Sequence, residues 1–261
     1  MSGWREAVLA ALVEPSPQKK IELVAGLVPG RSNGEREGPL ASAGDEVPGR
    51  PPRPLLVDPR EVPRRGLGTP EGRAALIHAV AHIEFNAINL ALDASWRFAK
   101  MPAEFHVDWI GVAQDEARHF AMLSGRLVEL GYAYGDFTAH DGLWEAAQKT
   151  AHDVLARMAL VPRVLEARGL DVTPGIIRRL RETGDAPTVQ ILETILREEV
   201  RHVAIGTRWF RGLCEERGLD PAETFRVLLA EYGARIHPPF NRAAREAAGF
   251  GAAELDSLGI K

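Results

Sequence analysis

Two pentapeptides nearly repeat each other: Asp115-Glu116-Ala117-Arg118-His119 and Glu198-Glu199-Val200-Arg201-His202. Each reads acid, Glu, apolar residue, Arg, His, and each contains a Glu-x-x-His pair. Residues three apart on an α-helix lie on one face, one turn from each other. Glu116 with His119, and Glu199 with His202, can therefore reach one metal ion from one side. Two such pairs on facing helices, completed by a lone Glu from each of two more, form the ligand set of a two-metal centre in a helix bundle. Arg118 and Arg201 fall about 200° around the helix from the Glu two residues before them, so they point away and form ion pairs outside the site.

The lone carboxylates have candidates. Glu84 lies on a stripe with Ile77, Val80, Ala81, Ile88 and Ala91, where an unpartnered charge would be costly. Glu166 is flanked on its face by Ala159, Pro162 and Leu170, with Glu145 or Asp153 as alternatives. Trp109, Val112, Ala113, Phe120 and Leu123 surround Glu116. Leu192, Ile195, Leu196, Val203 and Phe210 surround Glu199. From Glu84 to Glu116 is 32 residues and from Glu166 to Glu199 is 33, as a duplicated helical pair requires. Four ionised carboxylates would balance two divalent cations, with neutral His ligands adding no charge. The leading acids, Asp115 and Glu198, suit an outer role, accepting the second ring N–H of a ligating His: Asp115 toward His202 and Glu198 toward His119.

Long helices must carry these residues. Thr69-Pro70-Glu71 is a helix start, and the pattern predicts helices over 70–99, 102–131, 143–168 (bent at Pro162) and 187–217. Helices of about 30 residues span about 40 Å, the scale of a bundle. Shorter helices are expected over 3–14, 17–27, 174–183 and 221–235. Strand-type alternation is weak throughout. The predicted organisation is all-α: N-terminal helices in 1–27, an extended Pro/Arg-rich arm over 28–69, a four-helix bundle over 70–235 and short tail helices over 236–261. Leu55, Leu56 and Val57 could pin the arm, whose basic stretch 50–65 reads better as a cover for the bundle than as a nucleic-acid contact. His78 and His82, four apart, do not share the face of Glu84 and suit packing or hydrogen bonding. His106 is expected to be structural or exposed, and Tyr132 and Tyr134 are expected to pack in a loop.

Composition narrows the function. The 261 residues are 45% apolar and 26% charged, with a net charge of −4 that implies no strong pull toward nucleic acid. A single cysteine, Cys214, excludes an internal disulfide and a four-cysteine iron site within the chain. No signal peptide and no membrane span are expected, and the setting reads as cytoplasmic.

Several strings resemble a known family: His78-Ala-Val-Ala-His-Ile-Glu84, Asp115-Glu-Ala-Arg-His-Phe120, Tyr134-Gly-Asp136, Glu166-Ala-Arg-Gly-Leu-Asp171 and Glu198-Glu-Val-Arg-His-Val203. They look like the bacterial domain of unknown function 455. The six-residue pattern resembles the ferritin-like diiron-carboxylate superfamily, and the likeness covers about residues 50–235. The superfamily implies a ferritin-like four-helix bundle with metal ligands at Glu84, Glu116, His119, Glu166, Glu199 and His202, and two iron ions, or manganese, as cofactors. Glu116 and Glu199 are the candidate catalytic residues. The expected activity is O2-dependent oxidation or hydroxylation of an organic small molecule, with an external electron donor and a monomeric or dimeric chain. The layout is also similar to a tRNA-modifying diiron hydroxylase, which keeps a tRNA-type substrate in view. Two other readings compete: a metal-handling or peroxide-scavenging protein, and a non-catalytic module stabilised by metal. The long arm and tail oppose cage packing, and a Cys-rich electron-transfer module is absent.

Overall fold

Proline and short polar caps punctuate this chain, and they set most of its helix boundaries. The computed structural model describes residues 3–28 and 47–260, so residues 29–46 of the expected arm lie outside the described part. Among the described residues every regular element is a helix, and the β-type pairing is one isolated bridge, Leu56 with Ala139. They divide into two compact units, Met1–Asp141 and Gly142–Lys261.

The first unit holds α1 (Trp4–Val13), α2 (Pro17–Ala25), α3 (Pro70–Arg97) and α4 (Ala103–Glu129). Ser16 caps α2, and Thr69 Oγ1 accepts the Gly72 N–H at 3.0 Å to start α3, with Pro17 and Pro70 each in the first turn. The helices α3 and α4 pack together, α1 packs on α3, and α2 packs on α4. By length and composition α3 could cross a membrane, with a mean hydropathy of 1.3 over its most apolar window. However, 72% of that window is buried inside the protein, as in a core helix.

The described arm covers part of this unit. Val57 N–H donates to Ala139 O at 2.9 Å and Ala139 N–H to Leu55 O at 3.0 Å, while the side chains of Leu55 and Leu56 are exposed. The arm is thus pinned at the expected place, by backbone rather than by apolar side chains. Arg50 adds a two-armed ion pair to Asp141, at 2.8 and 2.6 Å, and Arg65 stacks over Phe137.

The second unit holds α5 (Gly142–Lys149), α6 (Val154–Leu160), a π-helical turn (Val161–Glu166), α7 (Ala167–Glu182), α8 (Ala186–Glu216), α9 (Pro221–Glu231), α10 (Arg242–Ala247) and α11 (Ala252–Ser257). Here the structure corrects the sequence reading. The helix expected over 143–168 breaks after Lys149 and restarts at Val154, where Asp153 accepts the Leu155 N–H at 3.1 Å. Pro162 sits in a π-helical turn, because a residue without an N–H breaks the usual ladder there. The helix then continues unbroken through Pro174 instead of restarting at it. An interior proline strands the carbonyl four residues earlier, which is Leu170 O. The Asn241 side-chain amide donates to that oxygen at 3.2 Å, so the proline is tolerated.

Close packing of α8 on the π turn depends on one glycine. A Cβ on Gly206 would lie 2.2 Å from both Cβ and Cγ of Pro162. Only a residue without a side chain lets α8 come this near.

Candidate metal centre

In the first unit, α3 and α4 bring three of the six predicted residues together. Glu84, Glu116 and His119 each place a ligand atom within 4.8 Å of the others. His119 Nδ1 lies 3.2 Å from Glu84 Oε2 and 3.3 Å from Glu116 Oε2. All three are buried, with His119 at 0% exposure, Glu116 at 1% and Glu84 at 4%. The apolar stripe explains how they came there: Ile77, Ala81, Ile88 and Ala91 on α3, and Trp109, Val112, Ala113, Phe120 and Leu123 on α4, are all buried in the core.

In the second unit, α8 carries the other pair. His202 Nδ1 lies 3.2 Å from Glu199 Oε1, and both residues are buried. Glu166 is half-buried and ends the π turn, between the Val161–Val164 core segment and α7. Its alternatives are engaged elsewhere. Asp153 caps α6 and pairs with Arg217 at 2.7 Å, and Glu145 is exposed.

The donor set fits a cation. Burial alone disfavours the His119 imidazolium, but hydrogen bonds to Glu116 and Glu84, and their charges, outweigh it and raise the pKa to about 11. Without a metal, a proton on Nδ1 is the positive charge that makes two buried carboxylates tolerable. A divalent ion bound through the same Nδ1 and the same oxygens would replace it, since imidazole nitrogen and carboxylate oxygen suit iron, manganese or zinc. Both His residues direct Nδ1 to carboxylate, which leaves Nε2 for an outer acceptor. Asp115, one of the two acids expected there, accepts from Arg118 at 2.8 Å, and Arg118 is exposed as its position on the helix requires. Glu198 is half-buried.

Around this centre the loop 131–141 is fastened to α3. Tyr134 Oη bonds His82 Nδ1 at 2.9 Å, His82 Nε2 bonds the His140 carbonyl at 3.1 Å, and the Gly135 N–H donates to His78 Nε2 at 2.9 Å. Tyr134 packs on Phe85 and Phe120, the residues directly after Glu84 and His119. His78 and His82 are therefore loop anchors, as their off-face positions suggested. His106 is structural too, bonded to Ser95 and to the Met101 carbonyl. Sequence pattern gave no sign of buried Lys20, which donates to the Ala11 and Leu12 carbonyls at 2.8 Å each and so closes the end of α1. A lysine on a short polar helix reads as solvated until its neighbours are known.

These features define an all-helical protein with a buried Glu/His cluster able to hold a metal ion. The chain belongs to the family described as Protein of unknown function (DUF455), whose model matches residues 13–256. It is similar to an "Uncharacterized protein" of Haemophilus influenzae (strain ATCC 51907 / DSM 11121 / KW20 / Rd), 47% identical over 266 residues that span 97% of this chain and 92% of the relative. No solved structure matches.

Proposed function

We propose that the chain is a ferritin-like di-metal carboxylate protein that oxidises or hydroxylates an organic substrate with O2. Glu84, Glu116 and His119 hold one half of the centre, and Glu199, His202 and Glu166 hold the other. Two iron ions are the favoured occupants, with manganese as the alternative. The observation that carries this reading is the convergence of His119 Nδ1 with the Glu84 and Glu116 oxygens, all buried. Such a group of ionisable side chains is expensive to bury without a cation and is seldom retained for packing alone. The metal pair would supply the redox equivalents and open positions for O2 and substrate. The protein's own part is different: carboxylates fix the charge, His119 and His202 present Nδ1, Asp115 and Glu198 orient the rings from outside, and the apolar stripes exclude water. An external electron donor and a small-molecule substrate complete the reaction.

The test is anaerobic loading of the chain with ferrous iron, followed by exposure to O2. A new visible absorption that forms in the wild type and is lost in Glu116→Ala supports the reading. A chain that takes up iron yet shows no spectral change with O2 removes the oxidase function. A chain that takes up no metal removes the centre itself.

A further inference from the structure

We propose that the C-terminal tail, residues 237–260, is a strap that sets the position of Glu166. The inference rests on the reading of Glu166 as a metal ligand and adds the device that holds it.

Glu166 ends a π-helical turn, and a π turn is a rare, wide winding that needs support from its surroundings. The support comes from the tail, on both sides of Glu166. Three residues before it, Arg163 is fully buried and forms an ion pair with Glu254 of α11. Its guanidinium lies 4.4, 4.1 and 4.5 Å from the rings of Phe210, Phe225 and Phe250, and Phe250 also belongs to the tail. Stacked guanidinium against aromatic faces is a strong contact once water is excluded. Two residues after Glu166, Arg168 donates to the carbonyls of His237, Pro238 and Pro239. Five after it, Asp171 accepts from Arg245 at 3.0 and 2.6 Å and from the Asn241 N–H at 2.9 Å. One residue before Asp171, the Leu170 carbonyl freed by Pro174 is taken by the Asn241 side-chain amide.

Helix propensity does not account for this arrangement. A chain that only needed to end its fold could lie on apolar surface. This one brings a carboxylate and an arginine into the interior and pairs each with an opposite charge on the helix that carries Glu166. Buried pairs of this kind contribute little net stability but fix register, because a slip leaves a charge unpaired. The strap therefore gives Glu166 one defined height and rotation, and release of the tail lets the π turn rewind toward α-helix.

Glu254→Gln is the discriminating variant, because Gln retains the length needed to reach the Gly251 N–H that Glu254 also accepts. Asp256→Asn is the control, since its partner Arg242 lies within the tail. Amide hydrogen exchange is followed across 158–171 in the full chain, without metal, and iron binding is titrated in parallel. The strap predicts exchange at 161–166 at least about tenfold faster in Glu254→Gln than in the wild type or Asp256→Asn. It also predicts loss of one of two bound irons or a tenfold weaker second site. Unchanged exchange at 161–166 with a loosened tail overturns the strap. Faster exchange with unaltered iron binding overturns its link to Glu166. Failure of the wild type to bind iron overturns the metal reading instead, and the exchange result then stands apart from it.

Discussion

Replacing Gly206 by alanine should destabilise the protein, although alanine is the better helix former. In an open helix interior Gly→Ala gains about 1 kcal/mol. At Gly206 the new methyl would meet the Pro162 ring at 2.2 Å, more than 1 Å inside ordinary contact. The ring is rigid and the π turn around it is anchored, so α8 must move away. Overpacking of this kind costs about 1–3 kcal/mol, and more when the neighbour cannot yield. The net expectation is a loss of about 1–2 kcal/mol. Gly212, on the same helix, has nothing within 4 Å of the place a methyl would take and serves as the internal contrast. Gly212→Ala should stabilise by up to about 1 kcal/mol. Thermal unfolding followed by circular dichroism separates the two, because a change of 1 kcal/mol shifts the midpoint by about 2–4 °C in a chain of this size. Gly206→Ala should also weaken metal binding, since it moves α8, with Glu199 and His202, relative to the π turn. A stabilising Gly206→Ala, or equal effects at the two positions, would refute the close-approach argument.

Other perturbations have signs fixed by the structure. Burial lowers the His78 pKa from 6.5 to about 4, with Asp136 opposing, so the unfolded chain binds a proton that the folded state refuses; stability should fall as pH drops from about 6.5 to 4, and the fall in urea midpoint should shrink in His78→Gln. In the metal-free protein His119 contributes stability that is fully present below about 6.5 and lost as pH rises toward 11. Because that proton must leave when Nδ1 takes a metal, binding at pH 7 should release it, measurable by calorimetry in buffers of different ionisation enthalpy. Asp171→Asn strands the fully buried Arg245 and should cost about 3–5 kcal/mol by denaturant unfolding, whereas removal of the exposed Arg226–Glu223 pair should change little.

The sequence carried the helices of the first unit and the α8 pair well, because their signals are local. Thr69-Pro70 starts a helix by capping, and the spacing of Glu116 and His119 alone places them on one face. What failed was the stretch from 143 to 182. Of its two interior prolines, Pro162 read as a bend and Pro174 as a helix start, and how each is accommodated depends on partners far along the chain, Gly206 for Pro162 and Asn241 for Pro174. Arg163 posed the same difficulty: an arginine reads as surface until three phenylalanines and Glu254 enclose it. The pairing of Glu84 with His119 was legible for the opposite reason. A carboxylate on an otherwise apolar stripe needs a partner, and the repeat supplied one.

The central claim, a paired metal centre built on Glu84, Glu116, His119, Glu166, Glu199 and His202, is tested most directly by metal content. Freshly purified protein, and protein reconstituted with ferrous iron, should contain close to two metal ions per chain by elemental analysis. Glu116→Ala and Glu199→Ala should each lower that number while leaving the helical circular-dichroism signal in place. A well-folded wild-type chain that retains no iron or manganese, even after reconstitution, would contradict the account.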